Sequence, residues 1–219
     1  MKGKIAVLVV LLSFASLGFA QGFVNLDFES TTLPTNGSPG MVSTAIGIPG
    51  WSAYINGVLQ SQIDYNDTTL GTSSIGIQGN PNVIQGNFSV TLLAGSTGDC
   101  SLSQTGQLPA GAVTLLFDAF ATGSGMPNLQ VFLNGQSINM QPVMLTPNYP
   151  TTTFMGDISI FSGQAVNLTI AAESNYPTGL EYFMLDNVKF SSSPVPEPGE
   201  LALVAFSALL FGHRRWRSL

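Results

Sequence analysis

The amino-acid sequence predicts an all-β body folded as a sandwich, on three observations. Apolar and polar residues alternate in short runs. Val113, Leu115, Phe117 and Ala119 share one parity against Thr114, Leu116, Asp118 and Phe120, and Val166, Leu168, Ile170 and Ala172 repeat the pattern against Asn167, Thr169, Ala171 and Glu173. Period two marks strands, because successive side chains point to opposite faces. Clusters of Gly, Asn, Ser, Thr and Pro separate the runs, and no stretch of the body sustains a helical period over three turns.

The first twenty residues stand apart from this body. Lys2 and Lys4 precede an apolar stretch from Ile5 to Leu12 that continues through Phe14 to Phe19, and Gly18 and Ala20 are small. A basic start, an apolar centre and a small-residue end predict a signal peptide cut after Ala20. The apolar region is short for an uncleaved anchor.

Within residues 21–193, strands are expected at Gly22–Phe28, Gly76–Gln78, Asn87–Leu93, Ser101–Thr105, Asn128–Leu133, Gln136–Met140, Thr152–Phe161 and Tyr182–Ser191. Asn134-Gly135 predicts a two-residue hairpin turn, since both central positions of a type I′ turn need positive φ. Gly37 to Gly50 and Ile63 to Ser74 are turn-rich and read as long loops at one end of the sandwich. In the last strand, Phe183 and Leu185 share one parity while Val188 and Phe190 share the other, so a bulge is expected at Asp186-Asn187.

Charge and reactive groups narrow the function. Ten of the twelve acids but only one base, Lys189, fall in residues 21–193. That region is strongly anionic, so nucleic acid and anionic membrane surfaces are poor partners, and divalent cations or neutral polymers are better ones. Cys100 is the only cysteine, which excludes an intrachain disulfide; beside Leu102 and Leu108 it reads as a small buried hydrophobe. The body has no His and no Arg. Serine- or cysteine-triad catalysis and His-ligated zinc are therefore excluded within it. A carboxylate pair drawn from Asp118, Asp157, Glu173 and Glu181 leaves glycosidase chemistry as the remaining enzymatic reading.

Aromatic residues supply candidate ligand contacts. Trp51 and Tyr54 lie near Asn56 in an otherwise polar segment, where a ring stacks on a sugar face or else plugs the end of the core. Tyr65, Tyr149 and Tyr176 sit in loop-like stretches among Asn and Pro and are the candidates for a sugar platform. Asn66-Asp67-Thr68, Asn87-Phe88-Ser89 and Asn167-Leu168-Thr169 fit the N-glycosylation pattern and read as coincidence, with Asn87 and Asn167 inside expected strands.

Residues 194–219 form a second terminal segment. Pro194, Pro196 and Pro198 keep the chain extended; an apolar run from Leu201 to Gly212 follows; Arg214, Arg215, Trp216 and Arg217 close it. Twelve apolar residues make about 18 Å of helix, short of the roughly 30 Å bilayer core, with arginines that snorkel and stay cytoplasmic. This short membrane helix is expected to anchor the chain transiently.

The order Pro196-Glu197-Pro198, apolar run, Arg214-Arg215 resembles the PEP-CTERM sorting signal of Gram-negative bacteria. The resemblance implies export, processing by signal peptidase and an exosortase, and a final place at the cell surface or in an exopolysaccharide matrix. A second resemblance spans the body: Asn25-Leu26-Asp27-Phe28-Glu29-Ser30, then Pro49-Gly50-Trp51, then Leu185-Asp186-Asn187-Val188 look like the galactose-binding-like jelly rolls that include many carbohydrate-binding modules. It implies a single jelly-roll sandwich and a structural calcium ion joining first and last strands through Glu29 and Asp186. The function so implied is a non-enzymatic exported protein that binds exopolysaccharide. A passive structural or adhesive biofilm protein, or a carboxylate glycosidase, are the alternatives.

Overall fold

The computed structural model describes residues 22–68, 71–122, 128–145 and 151–195. The expected signal peptide, Tyr149, and the sorting residues Pro196, Glu197, Pro198, Arg214 and Arg215 lie outside them. Among the described residues no helix is long and apolar enough to cross a membrane.

Among the described residues fourteen strands make two sheets, so the all-β sandwich read from the sequence is what this region forms. The larger sheet holds β1 (Gly40–Ser43), β4 (Gln62–Tyr65), β5 (Ser74–Gly79), β6 (Phe88–Ala94), β8 (Thr114–Thr122), β11 (Gln141–Leu145), β12 (Thr151–Asp157) and β14 (Glu181–Ser191), in the order β1-β4-β5-β6-β14-β8-β12-β11. The smaller holds β2 (Ser52–Ile55), β3 (Val58–Gln60), β7 (Cys100–Gln107), β9 (Leu129–Leu133), β10 (Gln136–Ser137) and β13 (Ala165–Ala172), in the order β10-β9-β13-β7-β2-β3. All named pairs are antiparallel except β4–β5. One helical turn, α1 (Thr44–Gly47), follows β1, and a 3-10 turn, Ser159–Phe161, follows β12.

The core lies between the sheets and follows the period of two. Ile75 and Ile77, Val90 and Leu92, Leu115 and Phe117, and Phe183 and Leu185 meet Leu102, Val131, Leu133, Leu168 and Ile170 there, all essentially without exposure. Phe117 and Phe154 stack across β8 and β12 with centroids 5.6 Å apart. Asn134 and Gly135 have φ of 50° and 77°, as the hairpin between β9 and β10 requires. In β14 the register with β8 shifts between Asp186 and Lys189, and Asn187 has φ of 58°, so the bulge stands where the parity slip placed it.

The strand expected at Thr152–Phe161 ends at Asp157 and gives way to the 3-10 turn, and that expected at Gln136–Met140 covers only Gln136–Ser137. Three further expectations need correction. Gly22–Phe28 is not a strand: Gly22 makes one isolated bridge to Gln107, and Asn25 and Phe28 have φ of 51° and 57°, outside the range a strand tolerates. The segment is latched instead by Gln104, whose side-chain amide accepts from Val24 N at 2.6 Å and donates to Val24 O at 2.9 Å, replacing a neighbouring backbone. Residues 37–50 are not one loop but contain β1 and α1. Residues 63–74 likewise begin inside β4.

The outward faces of the two sheets differ. On the larger sheet, the parity opposite the core includes Asp64, Asp118 and Asp186. On the smaller, the register aligns Leu59, Tyr54, Ser101, Ala171 and Gln130 in one cross-strand row. The next row is Ser52, Ser103, Thr169, Phe132 and Ser137.

Candidate functional site

A cleft of about 360 Å³ opens on the outer face of the larger sheet. Its floor comes from β5, β8 and β14, where Gln78, Phe120, Tyr182 and Met184 stand at the parity opposite the core. Phe120 lies directly across from Met184 in the β8–β14 ladder, and Tyr182 is diagonal to it on the same face. Gly76, Thr91, Met184 and Phe120 share one cross-strand row. Asn82, Val83 and Ile84, from the β5–β6 connection, make one wall, and Thr68 stands at the rim. The cleft therefore combines two aromatic rings, a thioether, two amides and a hydroxyl. Burial raises the Tyr182 phenol pKa, so it stays a neutral donor and acceptor at physiological pH.

The wall is held by the two acids singled out in the sequence. Asp186 Oδ2 accepts from Ser89 Oγ at 2.7 Å and from Gln85 N at 3.1 Å, while its Oδ1 accepts from Asn187 N at 2.6 Å. Ser89 Oγ in turn accepts Ile84 N at 2.9 Å. Glu29 Oε1 accepts from Asn87 N at 2.7 Å and Phe88 N at 2.9 Å, and Oε2 from Asn87 Nδ2 at 3.1 Å. The structure thus brings Glu29 and Asp186 to one loop from distant parts of the chain. Burial pushes the Asp186 carboxyl up to about 7, against the hydrogen bonds from Ser89, Gln85 and Asn187, and the Glu29 charge adds to the rise. Each carboxylate has about four acceptor positions and uses three here. Among the described residues no third Asp, Glu, His or Cys joins the pair as a metal-binding group.

Among the described residues, Tyr65 and Trp51 are turned away from the expected aromatic platform. Trp51 is 4 % exposed; its ring packs on Phe28 with centroids 5.6 Å apart, and Nε1 donates to Asn25 O at 2.9 Å. It closes the core, the other of the two readings the sequence left open. Tyr65 is on β4, not in a loop, and is 5 % exposed; its hydroxyl bonds to Pro34 O and accepts from Gly37 N at 2.9 Å. It pins the 34–37 turn and is unavailable to a ligand. Tyr176 is 59 % exposed in a turn closed by Thr178 N to Asn175 O. Tyr54 is half-buried on the outer face of the smaller sheet.

The four carboxylates considered for hydrolysis fall on separate elements. Asp118 on β8 is held by Thr153 Oγ1 at 2.6 Å and Asn187 Nδ2 at 2.9 Å. Asp157, at the end of β12, accepts from Ser159 N at 2.8 Å, Glu173 follows β13, and Glu181 is fully buried at the start of β14. No two of them share an element.

The residues missed in the sequence are Gln78, Asn82, Phe120 and Tyr182. The signal for two of them was present: Phe120 and Tyr182 are aromatic residues on the solvent parity of strands whose other parity is apolar.

No protein-family model and no curated protein matches the chain. Among solved structures, a cyclase from Fischerella sp. TAU in complex with 4-(1H-indol-3-yl)butan-2-one is similar at 19% identity and a TM-score of 0.44, over 81% of this chain and 98% of the other. The module TmCBM61 in complex with β-1,4-galactotriose is similar at 16% identity and a TM-score of 0.41, over 78% and 99%. A family 11 carbohydrate-binding module from Clostridium thermocellum, in complex with a β-1,3-1,4-mixed-linked tetrasaccharide, is similar at 14% identity and a TM-score of 0.37, over 72% and 98%. Likeness at this level transfers no residue and no activity to this chain.

Proposed function

We propose that this protein is an exported, non-enzymatic glycan-binding protein whose ligand lies in the cleft on the larger sheet. The single observation that carries the reading is the placement of Phe120 and Tyr182 beside the amides of Gln78 and Asn82 in one cleft. Aromatic faces accept the C–H face of a sugar ring, while amides and hydroxyls exchange hydrogen bonds with its hydroxyl groups. The anionic body favours a neutral glycan over an acidic one. A glycan panel probed with the purified protein tests this. Saturable binding to a defined soluble oligosaccharide, lost in Tyr182→Ala with the melting temperature kept, is the expected result. Absence of binding across the panel favours the passive matrix protein instead.

The sorting route belongs to the same proposal. A signal peptide ending at Ala20 and a PEP-CTERM tail at Pro196 to Arg215 would deliver the sandwich to the surface or the extracellular matrix. Mass spectrometry of the mature protein tests it, with loss of both ends expected.

A structural calcium ion is a further part of this reading, supported by two neighbouring carboxylates that each retain an acceptor position. Calcium takes six to eight oxygens, so Glu29 and Asp186 would supply the charge and backbone carbonyls and water the rest. Its chemistry there would be neutralisation of two like charges. A melting temperature that rises with calcium over chelator in the wild type, but not in Asp186→Asn, is expected; no rise in the wild type removes the ion from the proposal.

A further inference from the structure

Within its strands the outer face of the smaller sheet carries no charge; its two nearest acids, Asp99 and Glu173, lie just beyond the ends of β7 and β13. None of the residues in its two central rows is an acid or a base, although the body holds ten acids. The rows beyond add Thr105 beside Asn167 and Gln107 beside Ala165, again uncharged. Solvent-facing surface ordinarily carries charge at about a quarter to a third of its positions. The larger sheet carries Asp118, Asp157 and Lys189 on its own outer face, the last two exposed. The difference is therefore between two faces of one molecule and is not set by composition.

What the face offers is ordered. Thr169 Oγ1 donates to Asn167 Oδ1 at 3.0 Å, and Asn167 Nδ2 donates to Thr105 Oγ1 at 3.1 Å, so three polar side chains are linked across β7 and β13. Ser101 and Ser103 lie alongside. Tyr54 on β2 and Phe132 on β9 bracket these hydroxyls, both half-buried. They are three strand spacings apart, about 14 Å at roughly 4.8 Å per spacing. A monosaccharide does not reach both rings.

We propose that this face is a second binding surface, for an extended, neutral polysaccharide chain lying across the strands with one ring on Tyr54 and another on Phe132. Charge selects this occupant. An anionic polymer meets the net negative field of the body with no basic residue to receive it, and a lipid surface finds neither a basic cluster nor an aliphatic patch, since Leu59 is the only large aliphatic residue in the two rows. A neutral polymer desolvates no ion on this face, and aromatic rings with hydroxyls between them match its alternating C–H and O–H surfaces. The proposal does not rest on the cleft, which opens on the opposite side of the sandwich.

The test is co-sedimentation of the purified protein with two insoluble neutral glucans, amorphous cellulose and β-1,3-glucan granules. Retention that is unaffected by high salt is expected. Tyr54→Ala/Phe132→Ala is expected to lower the retained fraction about tenfold, on the scale of a lost aromatic contact pair. Ser103→Lys places one charge mid-face without removing core atoms and is expected to lower retention while leaving the melting temperature unchanged. Tyr182→Ala should keep wild-type retention while losing soluble oligosaccharide. No wild-type retention on either glucan overturns the second face, as does equal retention by Ser103→Lys. Loss of retention in Tyr182→Ala alone returns all binding to the cleft. A change of oligomeric state in Tyr54→Ala/Phe132→Ala by light scattering, with retention unchanged, makes the face a self-association surface and equally overturns the proposal.

Discussion

Ser89 donates its hydroxyl proton to Asp186 Oδ2 across 2.7 Å, and Ser89 Oγ itself accepts from Ile84 N at 2.9 Å. One buried hydroxyl thus ties the wall of the cleft to the last strand. Ser89→Ala removes the acceptor of Ile84 N and one of the donors to a buried carboxylate. We expect a loss of about 1–3 kcal/mol in urea unfolding, with weaker ligand binding at the cleft. Unchanged affinity in a variant destabilised by this amount would separate the wall from the site.

Gly86 has φ of 65°, and a Cβ there would run into the Glu29 carboxylate. Gly86→Ala pays for both the backbone and the clash. Glu29→Ala removes the clash but leaves the amides of Asn87 and Phe88 without their acceptor. Each single variant is expected to lose about 1–3 kcal/mol, and the double variant less than the sum. A thermodynamic cycle measures the coupling; strict additivity would mean that Gly86 is needed for its backbone alone.

Glu181 faces the core at 0 % exposure, and neither of its oxygens accepts a hydrogen bond among the described residues. A buried carboxylate without donors costs the fold its desolvation. Glu181→Met keeps the volume and removes the polar atoms, so stability should rise by about 1–3 kcal/mol. Denaturant midpoints of the two proteins decide it.

Cys100 is buried, and burial first, then the neighbouring Asp99 charge, raise its thiol above the ordinary value of 9.0. The folded state therefore holds this proton where the unfolded chain has released it. That contribution is complete below pH 9 and is lost as pH rises above it, by about 1.4 kcal/mol per pH unit. Tyr182, raised from 10.0 by burial, adds in the same direction above pH 10. Cys100→Ala should flatten the fall between pH 9 and 10. At pH 8 the native thiol should react with a disulfide reagent only at the rate of unfolding.

The strands that were legible in the sequence are those with one apolar parity and one polar parity: β8 and β13 show it along their length. The bulge at Asp186-Asn187 was legible for the same reason, since a slipped parity leaves a mark. The short strands early in the chain, β2 to β4, were not. Tyr65 was read as a loop residue because Asn66, Asp67 and Thr68 follow it, but β4 ends there and its tyrosine turns inward to pin a turn 28 and 31 residues away. Asn56-Gly57 bears the same dipeptide as Asn134-Gly135 and the same positive φ values, 48° and 76°, and it joins β2 to β3. It went unread because β3 is an edge strand of three residues with Val58 and Leu59 exposed, so no alternation flanks the turn.

The candidate site was legible in its supports and not in its contacts. Glu29 and Asp186 stood out as residues, yet what they grip, the amides of residues 85, 87, 88 and the Ser89 hydroxyl, is a long-range pairing that no local pattern encodes. For Trp51 the sequence leaves both a sugar-stacking ring and a core plug open. The positive φ of Asn25 turns a carbonyl toward its indole, and only the fold reveals that.

The wall of the cleft has an assembly order written into it. Residues 84–89 are held from Glu29, 58 and 59 positions earlier, and from Asp186, 97 and 101 positions later. A chain still lacking β14 has no Asp186 to fix Ile84 through Ser89, however complete the earlier strands are. The cleft is therefore among the last parts of the molecule to set. A partly made chain has no complete cleft, and on the proposed reading competence to bind arrives with the closing strand.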